Sequence, residues 1–311
     1  MKPIRPIRIG TRGSMLAKWQ AEFVRKKIFQ TTGVDADIVI IKTTGDKLQH
    51  APFSQIGGKG VFIKELEEAL LDGQIDLAVH SVKDIPTDVP SRLCFPVICR
   101  REDTRDCVVA AKGETLATLR QGARVGTSSL RRQSQVRHLR PDLDVRDLRG
   151  NVDTRLRKVE SGEYDAILLA KAGLDRLGWS NRISEILSPD VCMPAVGQGA
   201  LGVQARLKDT EIADALAPLD DFETRQSIVA ERSLLGALEG GCQVPLGAWA
   251  RIERGELAID AVVCSPDGTQ HVRQRATASP EQARELGRRV AQLLIDSGAR
   301  EILVEVYRQR G

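Results

Sequence analysis

Arginines are concentrated between Gly126 and Arg157, where their type and spacing suit the binding of an anion. Short apolar runs in this segment end at small or helix-capping residues and a helical pattern follows each run, which places the arginines where strands lead into helices. The first backbone N–H groups of a helix have no intrahelical acceptor and the helix dipole is positive there, so these positions favour anions. A guanidinium also binds a carboxylate or phosphate through two charge-assisted hydrogen bonds. We therefore expect a cleft that holds a multiply charged anion.

The arginines of this segment fall into two groups. Arginines on amphipathic helices are usually solvated surface residues. The members of this first group are Arg137, Arg140 and Arg157. Arginines next to predicted strand ends lie at the usual ligand edge of an open α/β sheet, and we expect them to bind the anion. The members of this second group are Arg131, Arg132, Arg149 and Arg155.

Two further residues could take part in covalent or acid–base chemistry. Cys242 follows two glycines, whose missing side chains leave its thiol accessible on a loop, although a free cysteine is more often an inert buried residue. Asp84 ends a predicted strand, next to Lys83 and two residues before Pro86. Such an aspartate either organises a turn or supplies a carboxylate that moves a proton or stabilises a cation at the ligand edge. The spacing alone leaves both alternatives open for each residue.

Metal and nucleotide sites are not indicated. The histidines lack the spacing of metal ligands, and we predict no metal. They are His50, His80, His138 and His271. The glycine-rich run at 57–60 contains Lys59, but no Ser or Thr follows the lysine and the spacing differs from that of a phosphate-binding loop.

The composition is that of a mildly basic globular protein. Its 311 residues exceed what one hydrophobic core usually supports, so two or three domains are expected. The net charge is only +4 and 4% of residues are aromatic, which argues against a nucleic-acid partner. The six cysteines form no regular framework and are expected to be reduced thiols. Neither a signal peptide nor a membrane span is evident, and we expect a cytoplasmic protein with no membrane partner.

Strand and helix patterns alternate over the first two thirds of the chain. Strands are predicted at 7–10, 37–42, 75–80, 93–99, 106–111, 124–126, 145–148, 165–170 and 201–205. Helical patterns follow most of them, and a glycine-rich loop is predicted from Thr43 to Gly60. The remaining segment contains helices at 223–238 and 280–297 and strands at 247–252, 257–264 and 271–277.

These patterns predict an α/β fold class, with two lobes like those of periplasmic binding proteins around a cleft and a small C-terminal α+β domain. Residues 1–100 and 195–219 form the first, discontinuous α/β lobe. Residues 101–194 form the second lobe, with the arginine-rich anion site, and residues 220–311 form the C-terminal domain that carries Cys242. Two crossings between the lobes would let them hinge over a ligand.

Six motifs, in this order along the chain, closely resemble the porphobilinogen deaminase (hydroxymethylbilane synthase) family. They are Arg12 with Ser14, Gly57 to Gly60, His80 to Pro86, Gly126 to Arg132, Leu148 to Asn151, and Glu239 to Cys242. The resemblance spans essentially the whole chain. Gln55 departs from it, because some relatives carry lysine at this position.

The resemblance implies a transferase of tetrapyrrole (haem) biosynthesis. Such an enzyme joins four porphobilinogen molecules head to tail, releases four ammonia molecules, and frees the linear product hydroxymethylbilane by adding water. The implied cofactor is a dipyrromethane primer joined to Cys242 by a thioether. Each pyrrole carries an acetate and a propionate, which accounts for the need for many arginines. A monomer is expected.

The resemblance also implies a role for individual residues. The implied catalytic residue is Asp84. The implied cofactor-binding residues are Cys242, Lys83, Asp84, Ser129, Arg131 and Arg132. The implied substrate-binding residues are Arg12, Ser14, Thr127, Arg149, Arg155 and Arg176.

Two other classes of function are alternatives. A noncatalytic two-lobed sensor or transport-type binding protein would leave Cys242 and the third domain without a task. A regulator that binds DNA through the helix at 129–139 would show salt-dependent binding to a duplex.

Overall fold

The computed structural model describes residues 6–47, 63–238 and 244–308. Gln55, the glycine-rich run at 57–60 and Cys242 lie outside these ranges. In the part of the chain that is described, no helix is both long and apolar enough to cross a membrane.

The described residues form three sheets with flanking helices. The strands are β1 (Ile7–Thr11), β2 (Ala36–Ile40), β3 (Leu77–Ser81), β4 (Leu93–Ile98), β5 (Asp106–Ala110), β6 (Arg124–Gly126), β7 (Asp144–Arg146), β8 (Ala166–Ala170), β9 (Glu185–Ile186), β10 (Leu201–Arg206), β11 (Leu246–Glu253), β12 (Glu256–Cys264) and β13 (His271–Ala278). The α-helices are α1 (Met15–Thr32), α2 (Thr44–Lys47), α3 (Lys64–Leu71), α4 (Leu130–Leu139), α5 (Val152–Glu160), α6 (Lys171–Arg176), α7 (Thr210–Leu216), α8 (Phe222–Ala237), α9 (Ala283–Leu294) and α10 (Arg300–Arg308).

The first sheet has the strand order β2-β1-β3-β10-β4. β1 runs parallel to β2 and β3, whereas β10 runs antiparallel to β3 and β4. Val24 and Ile28 of α1 pack on Ile9 and Leu77 of the sheet in one buried cluster. Because β1 and β3 are parallel, the segments that follow them leave the sheet at the same edge.

The second sheet repeats this pattern, with the order β7-β6-β8-β5-β9. β6 runs parallel to β7 and β8, and β5 runs antiparallel to β8 and β9. Its core includes Val125 of β6, Leu168 of β8 and Val136 of α4. The arginine-rich segment therefore supplies β6, α4, β7 and α5, and its turns follow the carboxyl ends of parallel strands.

The third sheet is an antiparallel meander with the order β11-β12-β13. Ile259 of β12 packs with Leu234 of α8 and Val290 of α9 in its core. Gly287 lets α9 approach α8 closely, since a Cβ at this position would lie 2.2 Å from the carbonyl oxygen of Ala230. The predicted α/β class with a C-terminal α+β part is confirmed.

The chain divides into two compact units, Met1–Arg101 with Ala200–Arg225, and Glu102–Gly199 with Gln226–Gly311. The first unit contains the first sheet, and the second unit contains the other two. The two predicted crossings thus fall after Arg101 and after Gly199. The boundaries of three separate domains stay a prediction.

Every strand predicted from the sequence is present, with its ends shifted by at most one or two residues. The sequence prediction missed β9, α7 and α10. The loop expected from Thr43 to Gly60 was wrong at its start, because Thr44–Lys47 form the short helix α2. The helix expected over 280–297 also ends earlier, at Leu294. Gly298, with a φ of 100°, breaks the helical geometry before α10 begins.

Candidate functional site

A pocket in the first unit lies where β1 and β3 end. Arg12 and Ser14 occupy the turn between β1 and α1. The Ser14 Oγ accepts a hydrogen bond from the Ala17 N–H at 3.2 Å and so caps α1. The Thr11 hydroxyl donates to the Ala17 carbonyl oxygen at 2.9 Å and fixes the same turn from the strand side. The cap therefore holds Arg12 and Ser14 at the sheet edge.

Asp84 lies at the end of a 3₁₀ turn, Val82–Asp84, that follows β3. The Val82 N–H donates to the carbonyl oxygen of Ala200 at 3.0 Å, and the Ile85 N–H closes the turn onto the carbonyl oxygen of Val82 at 3.1 Å. The Asp84 side chain is exposed. Its backbone is thus fixed while its carboxylate stays accessible to a ligand.

The pocket encloses about 70 Å³ and brings together three residues predicted from the sequence, Arg12, Ser14 and Asp84. Its apolar lining residues are Leu16, Ala17, Ile63, Leu66 and Val79. A cation, a hydroxyl and a carboxylate around an apolar floor suit a small aromatic ring that carries acidic groups and an N–H.

His80 is a polar lining residue of this pocket that the sequence analysis did not assign to it. Its Nε2 lies 2.9 Å from the Oε1 of Gln204. Burial lowers the pKa of His80 to about 4, with the nearby Arg12 charge acting in the same direction and the bond to Gln204 opposing it. The available signal in the sequence was a polar ring in an otherwise apolar strand.

In the second unit, the turn after β6 carries Thr127 and Ser129. Thr127 is buried, and its Oγ1 accepts a hydrogen bond from the Ser129 N–H at 3.3 Å. Ser129 precedes α4, but its side chain makes no capping hydrogen bond. The Ser129 hydroxyl is therefore not used to cap the helix that follows it.

Arg131 and Arg132 on α4 are both buried and both pair with Asp106 at the start of β5. The Arg131 Nη1 lies 2.6 Å from one carboxylate oxygen and the Arg132 Nη2 lies 2.7 Å from the other. The Gln198 side-chain amide also donates to Asp106 at 2.8 Å. Burial would raise the pKa of Asp106, but the two guanidiniums hold it well below its usual range.

This buried set carries one net positive charge, since two guanidiniums face one carboxylate. The Arg131 Nη1 also donates to the Met193 carbonyl oxygen at 2.6 Å, and the Arg132 Nη1 donates to that of Leu168 at 3.1 Å. Within the described residues, the buried Nε of Arg131 has no hydrogen-bond acceptor. The sequence indicated both arginines but missed Asp106, whose signal was a charged residue opening an apolar strand.

The other predicted residues have the following positions. Arg149 and Lys83 are half-buried in the turns after β7 and β3. The Arg155 Nε donates to the Gly150 carbonyl oxygen at 2.7 Å. The buried Arg176 binds Glu102 at 2.7 Å through Nε and donates to the Gly199 carbonyl oxygen at 2.9 Å. Their roles toward a substrate stay predictions.

Of the arginines expected to be solvated, only Arg157 is strongly exposed. The Arg137 Nη1 donates to the Pro266 carbonyl oxygen at 2.8 Å, and the Arg140 Nη1 donates to that of Leu116 at 2.6 Å. The surface expectation was therefore wrong for Arg137 and Arg140. Among the described residues, no cluster of His, Cys, Asp or Glu could hold a metal ion.

Fold and site together define an α/β protein with cationic and hydroxyl groups at the carboxyl edges of two mixed sheets. The chain belongs to the porphobilinogen deaminase family. Residues 7–214 match the model of the porphobilinogen deaminase dipyrromethane cofactor binding domain, and residues 226–296 match that of the porphobilinogen deaminase C-terminal domain. The chain is 50% identical over 305 residues to a porphobilinogen deaminase of Syntrophobacter fumaroxidans. The matched region covers 98% of this chain and 99% of the relative.

Solved structures of binding proteins are distantly similar. One is a periplasmic binding protein of Salmonella typhimurium with high arginine specificity. The match to it covers 70% of this chain and 92% of the binding protein's chain, at 13% identity and a TM-score of 0.39. Another is a putative methionine-binding lipoprotein of Bacillus subtilis. The match to it covers 69% of this chain and 90% of the lipoprotein's chain, at 12% identity and a TM-score of 0.42.

Proposed function

We propose that this protein is a porphobilinogen deaminase, which condenses four porphobilinogen molecules head to tail with loss of ammonia and releases hydroxymethylbilane by hydrolysis. The observation that carries the proposal is the pocket that joins Asp84 to Arg12 and Ser14 at one sheet edge. A pyrrole with an acetate and a propionate needs an acid–base group close to cationic and hydroxyl partners, and this pocket supplies them.

The proposed cofactor is a dipyrromethane attached to the thiol of Cys242, which lies outside the described residues. The described residues fit such a polyacid, because the buried pair of arginines exceeds the charge of Asp106 by one and leaves the Arg131 Nε without an acceptor. When bound, the cofactor supplies the covalently tethered end to which new pyrroles are joined. The residues proposed to hold it are Lys83, Asp84, Ser129, Arg131, Arg132 and Cys242.

In the reaction, Asp84 assists the departure of the substrate's aminomethyl nitrogen. The carbon–nitrogen bond breaks, its electron pair leaves with the nitrogen as ammonia, and the Asp84 carboxylate stabilises the cation that remains. The same carboxylate binds the pyrrole N–H and accepts the ring proton that is lost after the new carbon–carbon bond forms. General acid–base work of this kind contributes roughly 10² to 10⁴ in rate.

The acetate and propionate groups are proposed to bind arginines and hydroxyls. Each charge-assisted hydrogen bond contributes about 1.5 to 3 kcal/mol, so loss of one arginine weakens binding without abolishing it. The proposed substrate-binding residues are Arg12, Ser14, Thr127, Arg149, Arg155 and Arg176. A monomeric state and a cytoplasmic location belong to the same proposal.

A covalent tether has a kinetic reason. A growing chain held noncovalently at about micromolar affinity, with association near 10⁶ M⁻¹s⁻¹, would dissociate roughly once per second. Enzyme turnover is typically on the order of 10 per second, so loss of the chain would compete with four successive additions. A thioether at Cys242 removes this loss.

Incubation with porphobilinogen tests the proposal. We expect ammonia to be released and the intact wild-type protein to weigh more than its amino acids by one dipyrromethane. Cys242→Ser should show the mass of the polypeptide alone, and Ser128→Ala, a hydroxyl variant outside the proposed set, should keep the added mass. Active wild-type protein with no added mass would contradict the tether, and absence of ammonia release would favour the noncatalytic binding protein.

A further inference from the structure

In the second unit, the main chain of Met193 is held by α4 and by β11, and it in turn binds Arg131. The Met193 carbonyl oxygen accepts a hydrogen bond from the Arg131 Nη1 at 2.6 Å. Met193 and Arg131 are both buried. The position of this carbonyl oxygen therefore helps to decide where the Arg131 guanidinium lies.

Gln135 on α4 binds Met193 through both ends of its side-chain amide. The Met193 N–H donates to the Gln135 Oε1 at 2.7 Å, and the Gln135 Nε2 donates to the Met193 carbonyl oxygen at 3.3 Å. The same Nε2 donates to the Arg131 carbonyl oxygen at 3.0 Å, one helical turn earlier. Gln135 is buried, and hydrogen bonds are stronger in such surroundings than in water. Gln135 thus fixes the main chain of Met193 relative to α4.

β11 of the C-terminal sheet also lies against Met193. A Cβ at Gly247 would lie 2.7 Å from the Met193 Cβ and 2.8 Å from the Met193 carbonyl oxygen, so no side chain fits there unless Met193 moves. The Ala248 N–H donates to the Pro194 carbonyl oxygen at 2.9 Å and fixes the next residue to the same strand. The missing side chain of Gly247 therefore lets β11 lie close to the carbonyl that Arg131 binds.

The bonds of Nη1 set the direction of the rest of the Arg131 guanidinium. Nη1 has two hydrogens, and Asp106 and Met193 accept from it, each at 2.6 Å. Because a guanidinium is planar, two acceptors at one nitrogen fix its plane and with it the direction of the Nε–H. Within the described residues, this buried Nε has no hydrogen-bond acceptor. A shift of the Met193 carbonyl oxygen would therefore turn an N–H group that a ligand could bind.

Building on the proposed function, we infer that Gln135 and Gly247 are positioning residues for the cofactor. Through the Met193 carbonyl oxygen they direct the Arg131 Nε–H toward a carboxylate of the dipyrromethane, and neither residue needs to touch the cofactor itself. A buried N–H without an acceptor is costly, and a carboxylate that accepts from it forms a charge-assisted bond. The cofactor should therefore stabilise the protein less when either residue is changed.

A double-mutant cycle measures this coupling without any turnover. Gln135→Met removes both bonds to Met193, and Gly247→Ala displaces the Met193 carbonyl oxygen by its added Cβ. Each variant is made with Cys242 and with Cys242→Ser, and intact mass shows which proteins carry the dipyrromethane. Urea denaturation then gives the factor by which the cofactor lowers the equilibrium constant of unfolding. A merely structural role would destabilise loaded and cofactor-free protein equally.

We expect this factor to be smaller by about 10-fold or more in Gln135→Met and in Gly247→Ala than in wild type, which corresponds to one charge-assisted hydrogen bond. Ile259→Val is the matched control. Ile259 packs in the core between the C-terminal sheet and its helices, whereas Val262 on the same strand packs on Met193. The control should lose stability but keep the full factor. A full factor in either test variant would overturn the inference for that residue.

Failure of the inference and failure of the proposed function give different results. If the wild-type protein carries no added mass, the proposed tether fails and the inference fails with it. If the wild-type protein is loaded and the factor is the same in all variants, only the inference fails. Gly247→Ala removes no hydrogen-bonding group, so it decides the question if Gln135→Met does not fold.

Discussion

Asp106 shows how a single buried carboxylate can set the geometry of two cationic side chains. Its oxygens accept from Arg131 and Arg132, and its side chain is fully buried. Removing one partner from a buried ion pair leaves an uncompensated charge in a medium of low polarity. The resulting loss of stability is larger than the net stabilisation that the intact pair provides. Asp106 thus helps to orient both guanidiniums, together with the carbonyl oxygens of Met193 and Leu168, and it need not touch a ligand to do so.

Asp106→Ala should lower the free energy of unfolding by about 3 to 5 kcal/mol, because two guanidiniums would stay buried without their carboxylate. Urea denaturation measures the change. The matched control is Asp153→Ala, which removes a carboxylate paired with the exposed Arg157 across one helical turn; such pairs contribute only about 0.3 to 0.5 kcal/mol. Equal small losses in both variants would contradict the assigned role of Asp106.

The same carboxylate predicts a pH dependence. Its pKa is lowered in the folded state, because the pull of Arg131 and Arg132 outweighs the effect of burial. A carboxyl group whose pKa is lowered by folding stabilises the folded protein at pH values above its pKa in the unfolded chain, about 3.9. This stabilisation is lost as the pH falls toward the pKa of the group in the folded protein. The stability difference between wild type and Asp106→Asn should therefore be constant from pH 7 to 5 and shrink below about pH 4. A difference that grows on acidification would contradict the assignment.

Asp84 is expected to matter for turnover and not for stability. Its exposed carboxylate ends a turn whose backbone bonds do not need the side chain. Asp84→Ala should lower kcat by roughly 10² to 10⁴ and leave the melting temperature unchanged. Asp88→Ala, which removes another exposed carboxylate four positions later, should keep near-normal ammonia release. Near-normal turnover of Asp84→Ala would refute the catalytic role.

At the scale of elements, the turn between β12 and β13 lies against α4. Gly268 in this turn has a φ of +81°, and a Cβ there would lie 2.5 Å from the His138 backbone nitrogen. The His138 Nδ1 also lies 2.8 Å from the Gly268 carbonyl oxygen. This contact connects the C-terminal sheet to the helix that carries Arg131 and Arg132.

Gly268→Ala should destabilise the protein by about 2 to 4 kcal/mol, from left-handed backbone strain together with the displacement of α4. Gly255→Ala is the matched control, because Gly255 has a φ of +85° in the turn between β11 and β12 but nothing lies within 4 Å of its added Cβ. The control should lose only about 1 to 2 kcal/mol. Thermal unfolding of both variants measures the difference, and identical losses would show that the contact with α4 is not tight.

The elements were predictable where a local pattern was sufficient. β1, Ser14 as a cap and α1 follow from an apolar strand, a polar turn and a helical apolar face. β9, with two residues, is too short to have a pattern, and the break at Gly298 is hidden by the apolar face that continues into α10. The convergence of Arg12 and Asp84 was also predictable, because parallel strands end at one edge. The partners of Arg131 and His80 were not, because Asp106 and Gln204 are distant in sequence and only the fold brings them close.

At the scale of the whole molecule, two units contain sheets of the same pattern, and in each the first strand after a crossing runs antiparallel to both of its neighbours. β5 follows the first crossing and β10 follows the second. β5 begins with Asp106, and β10 carries Gln204. These two strands thus also carry the buried partners of Arg131, Arg132 and His80, which no local pattern indicates.

The net charge of the whole molecule should report each step of the proposed reaction. The polypeptide has a formal charge of +4, and the four carboxylates of a dipyrromethane would cancel it. Each added pyrrole brings two carboxylates and loses its amine as ammonia, so the charge falls by two at every addition. Anion-exchange chromatography after substoichiometric porphobilinogen should therefore resolve a ladder of increasingly retained species. Cys242→Ser should stay in one early peak under the same treatment, because nothing is tethered to it. A single unshifted peak from active wild-type protein would mean that the growing chain is not covalently held.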